Sequence, residues 1–189
     1  MPGNRELLIP GLWIAWGLYW WAASRHVKRV ARRESVASRA MHVLPLAIAA
    51  VLLGAPSIPG WLGERWISDQ FEVYAVGAAL VVGGLLFTVW ARILLGGNWS
   101  GTVTLKHGHE IIRAGPYRWI RHPIYTGLLL AFLGSAIGRG EWRGLVALGL
   151  AAAALWRKLG VEEQWLQELF GSAYTDYRRS TWALIPFVL

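Results

Sequence analysis

The chain has 189 residues, of which 55 % are hydrophobic, with 19 Lys and Arg against 11 Asp and Glu and no cysteine. It is more apolar than an ordinary soluble domain of this length, which points to a membrane protein, and without cysteine it has no disulfide, no thiolate metal site and no cysteine nucleophile. The formal charge of +8 comes with no nucleic-acid-binding motif, so nucleic acid is not among the expected partners.

A transmembrane helix needs about 20 mostly apolar residues. The first candidate is 7–23, where Arg5 beside Glu6 and the lack of an A-x-A-like cleavage site predict a retained helix rather than a signal peptide. The second is 41–53, followed by the Gly- and Pro-rich turn "GAPSIPGWLG" at 54–63. The third, 71–95, contains Arg92 and is broken by "LLGGNWSGT" at 94–102. The fourth and fifth, 124–137 and 142–155, are joined by a tight helical hairpin at 138–141. The fourth is short, which leaves a tilted helix or a re-entrant segment as readings. In "KLGVEEQWLQELFGSAYTDYRR", Leu159, Glu162, Glu163, Leu166, Leu169 and Phe170 recur at helical spacing. They predict an amphipathic helix along the membrane surface, ended by Gly171. The expected fold is therefore all-α, a single-domain polytopic membrane helix bundle of about five transmembrane helices plus a C-terminal amphipathic helix. Trp20, Trp21, Trp61, Trp66 and Trp142, at span ends, read as interfacial anchors.

Charge sets the expected orientation. Fifteen Lys and Arg fall between spans one and two, between spans three and four, or after span five, and only Arg5, Arg65, Arg139 and Arg143 fall on the other side. By the positive-inside rule the N-terminus is outside and the C-terminus cytoplasmic, in a multi-pass protein of the inner membrane if the source is bacterial. The first basic loop also suits anionic headgroups.

"GPYRWIRHPIYTG" at 115–127 concentrates polar groups in a greasy chain. Gly115-Pro116 is a turn signal, Pro123 suits a first helical position, and His122 before it is pushed out of the helical region. Span four then starts near Pro123, with first-turn amides open to a hydrogen-bond acceptor and Arg121, His122 and Tyr125 around them. A plainer reading makes Arg118 and Arg121 headgroup anchors and Tyr117 and Tyr125 interface aromatics. Glu162 and Glu163 are likewise either first-turn acids on the helix dipole or pocket groups, and adjacent helical residues point about 100° apart.

"NWSGTVTLKHGHEIIRAGPYRWIRHPIYTG", then "EEQWLQELFGSAYTDYRR" and "ALIPF", resemble the isoprenylcysteine carboxyl methyltransferase family of integral-membrane methyltransferases and the related phospholipid methyltransferases. The resemblance covers roughly 94–187. It implies a bundle of about five helices with a cytoplasmic pocket for S-adenosylmethionine, closed by the C-terminal segment, and a lipophilic acceptor, prenylcysteine-like carboxylate or lipid headgroup, that enters from the bilayer. Residues 94–187 become the cofactor-binding half and 1–70 the acceptor-side helices. His109, Ile112, Gly115, Tyr117, His122, Pro123, Tyr125, Glu162 and Glu163 are implied in cofactor binding, and Arg121, His122 and Glu163 in catalysis. Arg121 would orient an anionic acceptor or the cofactor carboxylate, both being open at this point.

Methyl transfer is an in-line displacement that gains most from alignment and exclusion of water. A carboxylate acceptor needs no strong base, whereas an amine or thiol would need one, with His122 or Glu163 as candidates. No metal is expected, since His107, His109 and His122 with the paired glutamates form only a loose ligand pattern. The rival reading from another class is an NADPH-dependent membrane reductase of the sterol-reductase type, and a non-catalytic scaffold is a third.

Overall fold

The computed structural model describes residues 5–25, 30–99, 103–106 and 110–188. Its helices are α1 Arg5–Ala23, α2 Val36–Gly54, α3 Phe71–Leu95, α4 Pro123–Arg139, α5 Trp142–Phe170 and α6 Ser172–Arg179. The five apolar segments of the sequence coincide with α1 to α5. By length and composition Val36–Gly54, Phe71–Asn98 and Trp142–Phe170 can cross a membrane, and Leu7–Ala23 and Pro123–Arg139 are shorter apolar helices. One element lies outside the all-helical expectation: β1 Val30–Arg33 pairs antiparallel with β2 Thr104–Lys106. This ribbon ties the loop after α1 to the loop after α3.

The α3–α4 pair is held close by glycine. A Cβ on Gly84 would stand 2.5 Å from the Gly127 carbonyl oxygen, and one on Gly134 would stand 2.5 Å from that of Gly77. Both helices place glycines seven residues apart, so the bare stripes face each other and the backbones touch. In an apolar medium, where lipid competes for every exposed side chain, such close contact is a main source of helix association.

The expected break after span five is absent. α5 runs unbroken for 29 residues, a length of about 43 Å against roughly 30 Å of hydrocarbon. Its last turns therefore project beyond the apolar layer as a continuation of the span, because nothing between Leu155 and Leu159 interrupts the helical pattern. Gly171, at φ +54°, ends it as expected, and the separate amphipathic helix is α6.

At the opposite end, the carbonyls that close α2 are met by arginine. Arg139 donates to the Leu53 oxygen at 2.9 Å and Arg143 to that of Ala55 at 2.8 Å. Arg143 is also paired with Glu141 at 2.5 Å and is buried. On α1, Trp13 donates to the Ser135 hydroxyl at 2.9 Å and Trp16 to that of Thr88 at 2.7 Å. Trp20, expected as an interfacial anchor, instead stacks on Trp16 at 4.5 Å and meets Trp99 edge-on. Its neighbour Trp21 is exposed, since one helical step turns the side chain by about 100°.

Candidate active site

The site begins where the chain leaves the ribbon. Gly115 has φ +56°, a conformation that favours glycine, and a Cβ there would also push Leu94 Cδ1, 2.3 Å away, aside. It opens a short 3-10 turn, Gly115–Arg118, that buries Pro116 and Tyr117. Tyr117 bonds the Ala91 oxygen at 3.4 Å, and Tyr177 of α6 donates to the Tyr117 oxygen at 2.8 Å. Burial raises the Tyr117 hydroxyl and pushes that of Tyr177 up to about 12, so both remain donors at physiological pH.

His122 caps α4 at φ −123°, ψ 59°, outside the helical region as the following proline requires, though not fully extended. Pro123 occupies the first helical position as expected. Its lack of an N–H, and the Tyr125 N–H bonded to the His122 oxygen at 3.0 Å, reduce the open helix-start amides to Ile124 at most. The polar side chains around that end therefore carry the chemistry. The C-terminal segment is laced along the same stretch: Arg121 N donates to the Trp182 oxygen at 2.8 Å, His122 N to that of Ala183 at 3.1 Å, and the Thr126 hydroxyl to that of Leu184 at 2.6 Å.

α5 supplies two carboxylates to this end, and they part company. Glu163 is buried and lies 2.6 Å from Arg121 Nε, 3.3 Å from Arg178 Nε and 3.3 Å from His122 Nε2. Arg121 also donates to the carbonyl oxygens of Thr181 and Arg178, so its guanidinium ties α4, α5 and the C-terminal segment together. Glu162 instead accepts from the Tyr125 hydroxyl at 2.6 Å, with Lys158 Nζ at 3.8 Å and His122 Nδ1 at 3.6 Å. The His122 ring is stacked on Tyr125 at 5.3 Å and 7°, bracketed by both carboxylates.

A cavity of about 370 Å³ opens beside this cluster. Its polar wall includes Arg121, His122, Tyr125, Lys158 and Glu162, with Asn98 and Thr104 contributed from the loop after α3. Asn98 Oδ1 and Thr104 Oγ1 are buried without a hydrogen-bond partner. The apolar wall comes from α1, α2, α4 and α5 through Trp16, Trp20, Leu46, Leu128 and Leu155.

Of the residues expected from sequence, Tyr117, Arg121, His122, Pro123, Tyr125 and Glu162 line the cavity. Glu163 stands in the ion cluster behind it, Ile112 packs on the hydrophobic core beneath, and Gly115 shapes the turn. His109, like His107, lies outside the described residues. Sequence reading missed Lys158, counted there only as a topology charge, although its i,i+4 spacing to Glu162 inside an apolar run is a visible signal. It also missed Asn98 and Thr104, which carry no motif of their own.

Known proteins resemble this chain in sequence and in fold. A probable protein-S-isoprenylcysteine O-methyltransferase of Oryza sativa subsp. indica is 28% identical over 175 residues, 88% of this chain and 87% of that protein. The protein-S-isoprenylcysteine O-methyltransferase of Dictyostelium discoideum is 27% identical over 65% of this chain and 56% of its own length. The steroid 5-alpha-reductase DET2 of Solanum lycopersicum is 27% identical over 76% of this chain and 57% of its own length. The chain thus spans little more than half of the last two. Among solved structures, the eukaryotic intramembrane Ras methyltransferase, an isoprenylcysteine carboxyl methyltransferase, shares the fold with a TM-score of 0.53 and 22% identity, over 80% of this chain and 52% of that one. The family model for phospholipid methyltransferases matches residues 73–173, which include most of α3, all of α4 and α5, and both glutamates. With that match and its apolar helices, the chain is a multi-pass membrane protein of the phospholipid methyltransferase family.

Proposed function

We propose that this chain transfers the methyl group of S-adenosylmethionine to a lipophilic acceptor whose head enters the cavity and whose tail stays in the bilayer. The observation that carries the reading is the joint wall of one cavity: a Glu162–His122–Tyr125 cluster facing apolar side chains from four helices. The residues fit the cofactor's chemistry. Glu162 suits ribose hydroxyls or an ammonium, and the unpartnered Asn98 and Thr104 oxygens suit hydrogen-bond donors, since an unpaired buried polar group costs roughly 2 to 7 kcal/mol. Lys158, which stands over the Tyr125 ring at 5.2 Å, suits a carboxylate.

The cofactor supplies an electrophilic methyl group, and everything else falls to the chain. Arg121, held by Glu163 and two carbonyl oxygens, fixes the C-terminal segment over the cavity and is a positioning residue in this reading. His122, between two carboxylates, is the group best placed to take a proton from an amine or thiol, whereas a carboxylate acceptor requires none. The apolar wall aligns the acceptor and excludes water. We assign the site to the cytoplasmic face on the charge asymmetry of the loops, and the acceptor to the class of prenylcysteine-like carboxylates or lipid headgroups.

Incubating the purified protein with membranes and methyl-labelled cofactor tests the reading. Label should appear in the organic extract, and label confined to water-soluble or volatile product contradicts a lipophilic acceptor. The similarity to the tomato reductase supports one rival, an NADPH-dependent membrane reductase, for which NADPH and not S-adenosylmethionine would bind.

A further inference from the structure

Arg121 also borders a second cavity of about 370 Å³, between α5, α6 and residues 181–183. Its wall holds three guanidiniums, those of Arg121, Arg178 and Arg179, together with Gln167, Thr175 and Thr181, and no carboxylate among the described residues. The acid close behind it is shared: Glu163 lies 2.6 Å from Arg121 and 3.3 Å from Arg178. Arg179 has Asp176 only at 3.9 Å, with both side chains mostly exposed. Gln167 donates to the Gly171 oxygen at 2.8 Å and to Thr175 at 3.0 Å. Those neutral groups therefore fix the floor, Arg121 already gives its Nε and one Nη to Glu163 and to the carbonyl oxygens of Arg178 and Thr181, and the donors left for a ligand are chiefly those of Arg178 and Arg179. Three cations around one close carboxylate favour an anion, and guanidinium geometry matches phosphate oxygens in pairs.

The segment just after the cavity wall points to the source of that anion. Beyond the buried Leu184, Ile185, Phe187 and Val188 are 47%, 86% and 70% exposed. An apolar segment left bare beside a basic cluster is the pattern of chain lying in a membrane interface, and it sets the arginines at headgroup depth. From this we infer that the cavity is a site for a phosphate group, that of an anionic phospholipid, distinct from the methyl-transfer cavity and joined to it through Arg121. Such a site does not depend on the activity proposed above.

The test uses the full chain, purified and stripped of lipid in detergent at fixed ionic strength, with thermal unfolding followed against three probes: dioctanoyl phosphatidylglycerol, dioctanoyl phosphatidylcholine and inorganic phosphate. Phosphatidylglycerol should raise the midpoint saturably, as linkage requires, and phosphatidylcholine should not. Arg179→Gln should raise the half-saturating concentration about 10-fold, the loss of one charge-assisted contact, and the Arg178→Gln, Arg179→Gln double variant should abolish the response. Arg118→Gln, at an exposed arginine outside the cavity, should respond like the parent. No shift with either anion, an equal shift with phosphatidylcholine, or an equal loss in Arg118→Gln overturns the site. A shift with inorganic phosphate but none with phosphatidylglycerol overturns the lipid as its source. Because no cofactor is added, failure here leaves methyl transfer standing, and failure of methyl transfer leaves this site standing.

Discussion

Glu162 and Glu163 are neighbours on α5, yet they face different partners, and substitution separates them. Glu162→Gln keeps the size and removes a charged acceptor from the cavity wall. It should weaken S-adenosylmethionine by the worth of a charge-assisted hydrogen bond, roughly 1.5 to 3 kcal/mol or about 10- to 150-fold in calorimetry. Glu163→Gln leaves Arg121, whose side chain is 10% exposed, without its counter-charge, and breaking such a buried pair costs about 3 kcal/mol of stability. Equal effects of the two on cofactor affinity, with neither destabilised, would contradict this division. The sequence shows that adjacent carboxylates on a helix diverge by about 100°. Which of them faces a cavity depends on how α5 is rotated, and Leu155 and Leu159 set that by packing into the core. Proline and glycine were read more directly, because Pro123 and Gly115 act through their own backbones.

Helix boundaries were legible wherever a local signal exists. Pro123 starts α4, Gly140 ends it at φ +68°, and Gly171 ends α5. The continuity of α5 past Leu155 was not legible, since a change from apolar to amphipathic composition looks like a junction although the helical period never breaks. The ribbon β1–β2 escaped for a related reason: strands of four and three residues are fixed by their pairing rather than by any pattern within them. The facing glycines of α3 and α4 were not singled out in the sequence, because a seven-residue spacing within one helix does not name the helix it faces. They make a sharp prediction. Gly84→Ala or Gly134→Ala forces a Cβ into backbone 2.5 Å away and should destabilise the protein by about 1 to 3 kcal/mol, read as a lower unfolding midpoint in detergent. Gly83→Ala, whose Cβ would meet nothing within 4 Å, should be neutral or gain up to about 1 kcal/mol from helix propensity. If all three behave alike, close backbone contact does not hold the pair.

For the whole molecule, the fold class and the family motifs were carried by hydrophobic runs and by residues 94–187, whereas the role of the first half emerges only when Trp16, Trp20 and Leu46 appear on the cavity wall. Those residues form no motif, being ordinary apolar positions until packing brings them beside Tyr125 and Glu162. The proposed orientation rests on the uneven split of arginine and lysine: a reporter fused after Leu189 should read as cytoplasmic, and an exported signal would reverse the assignment. The central claim is that the cavity beside Glu162 takes a methyl donor, and calorimetry tests it most directly, with the purified protein in lipid titrated in parallel with S-adenosylmethionine and NADPH, without added metal. S-adenosylmethionine should bind saturably, and Glu162→Gln should weaken it at least 10-fold. Binding of NADPH alone, or no heat with S-adenosylmethionine up to millimolar concentration, would contradict it.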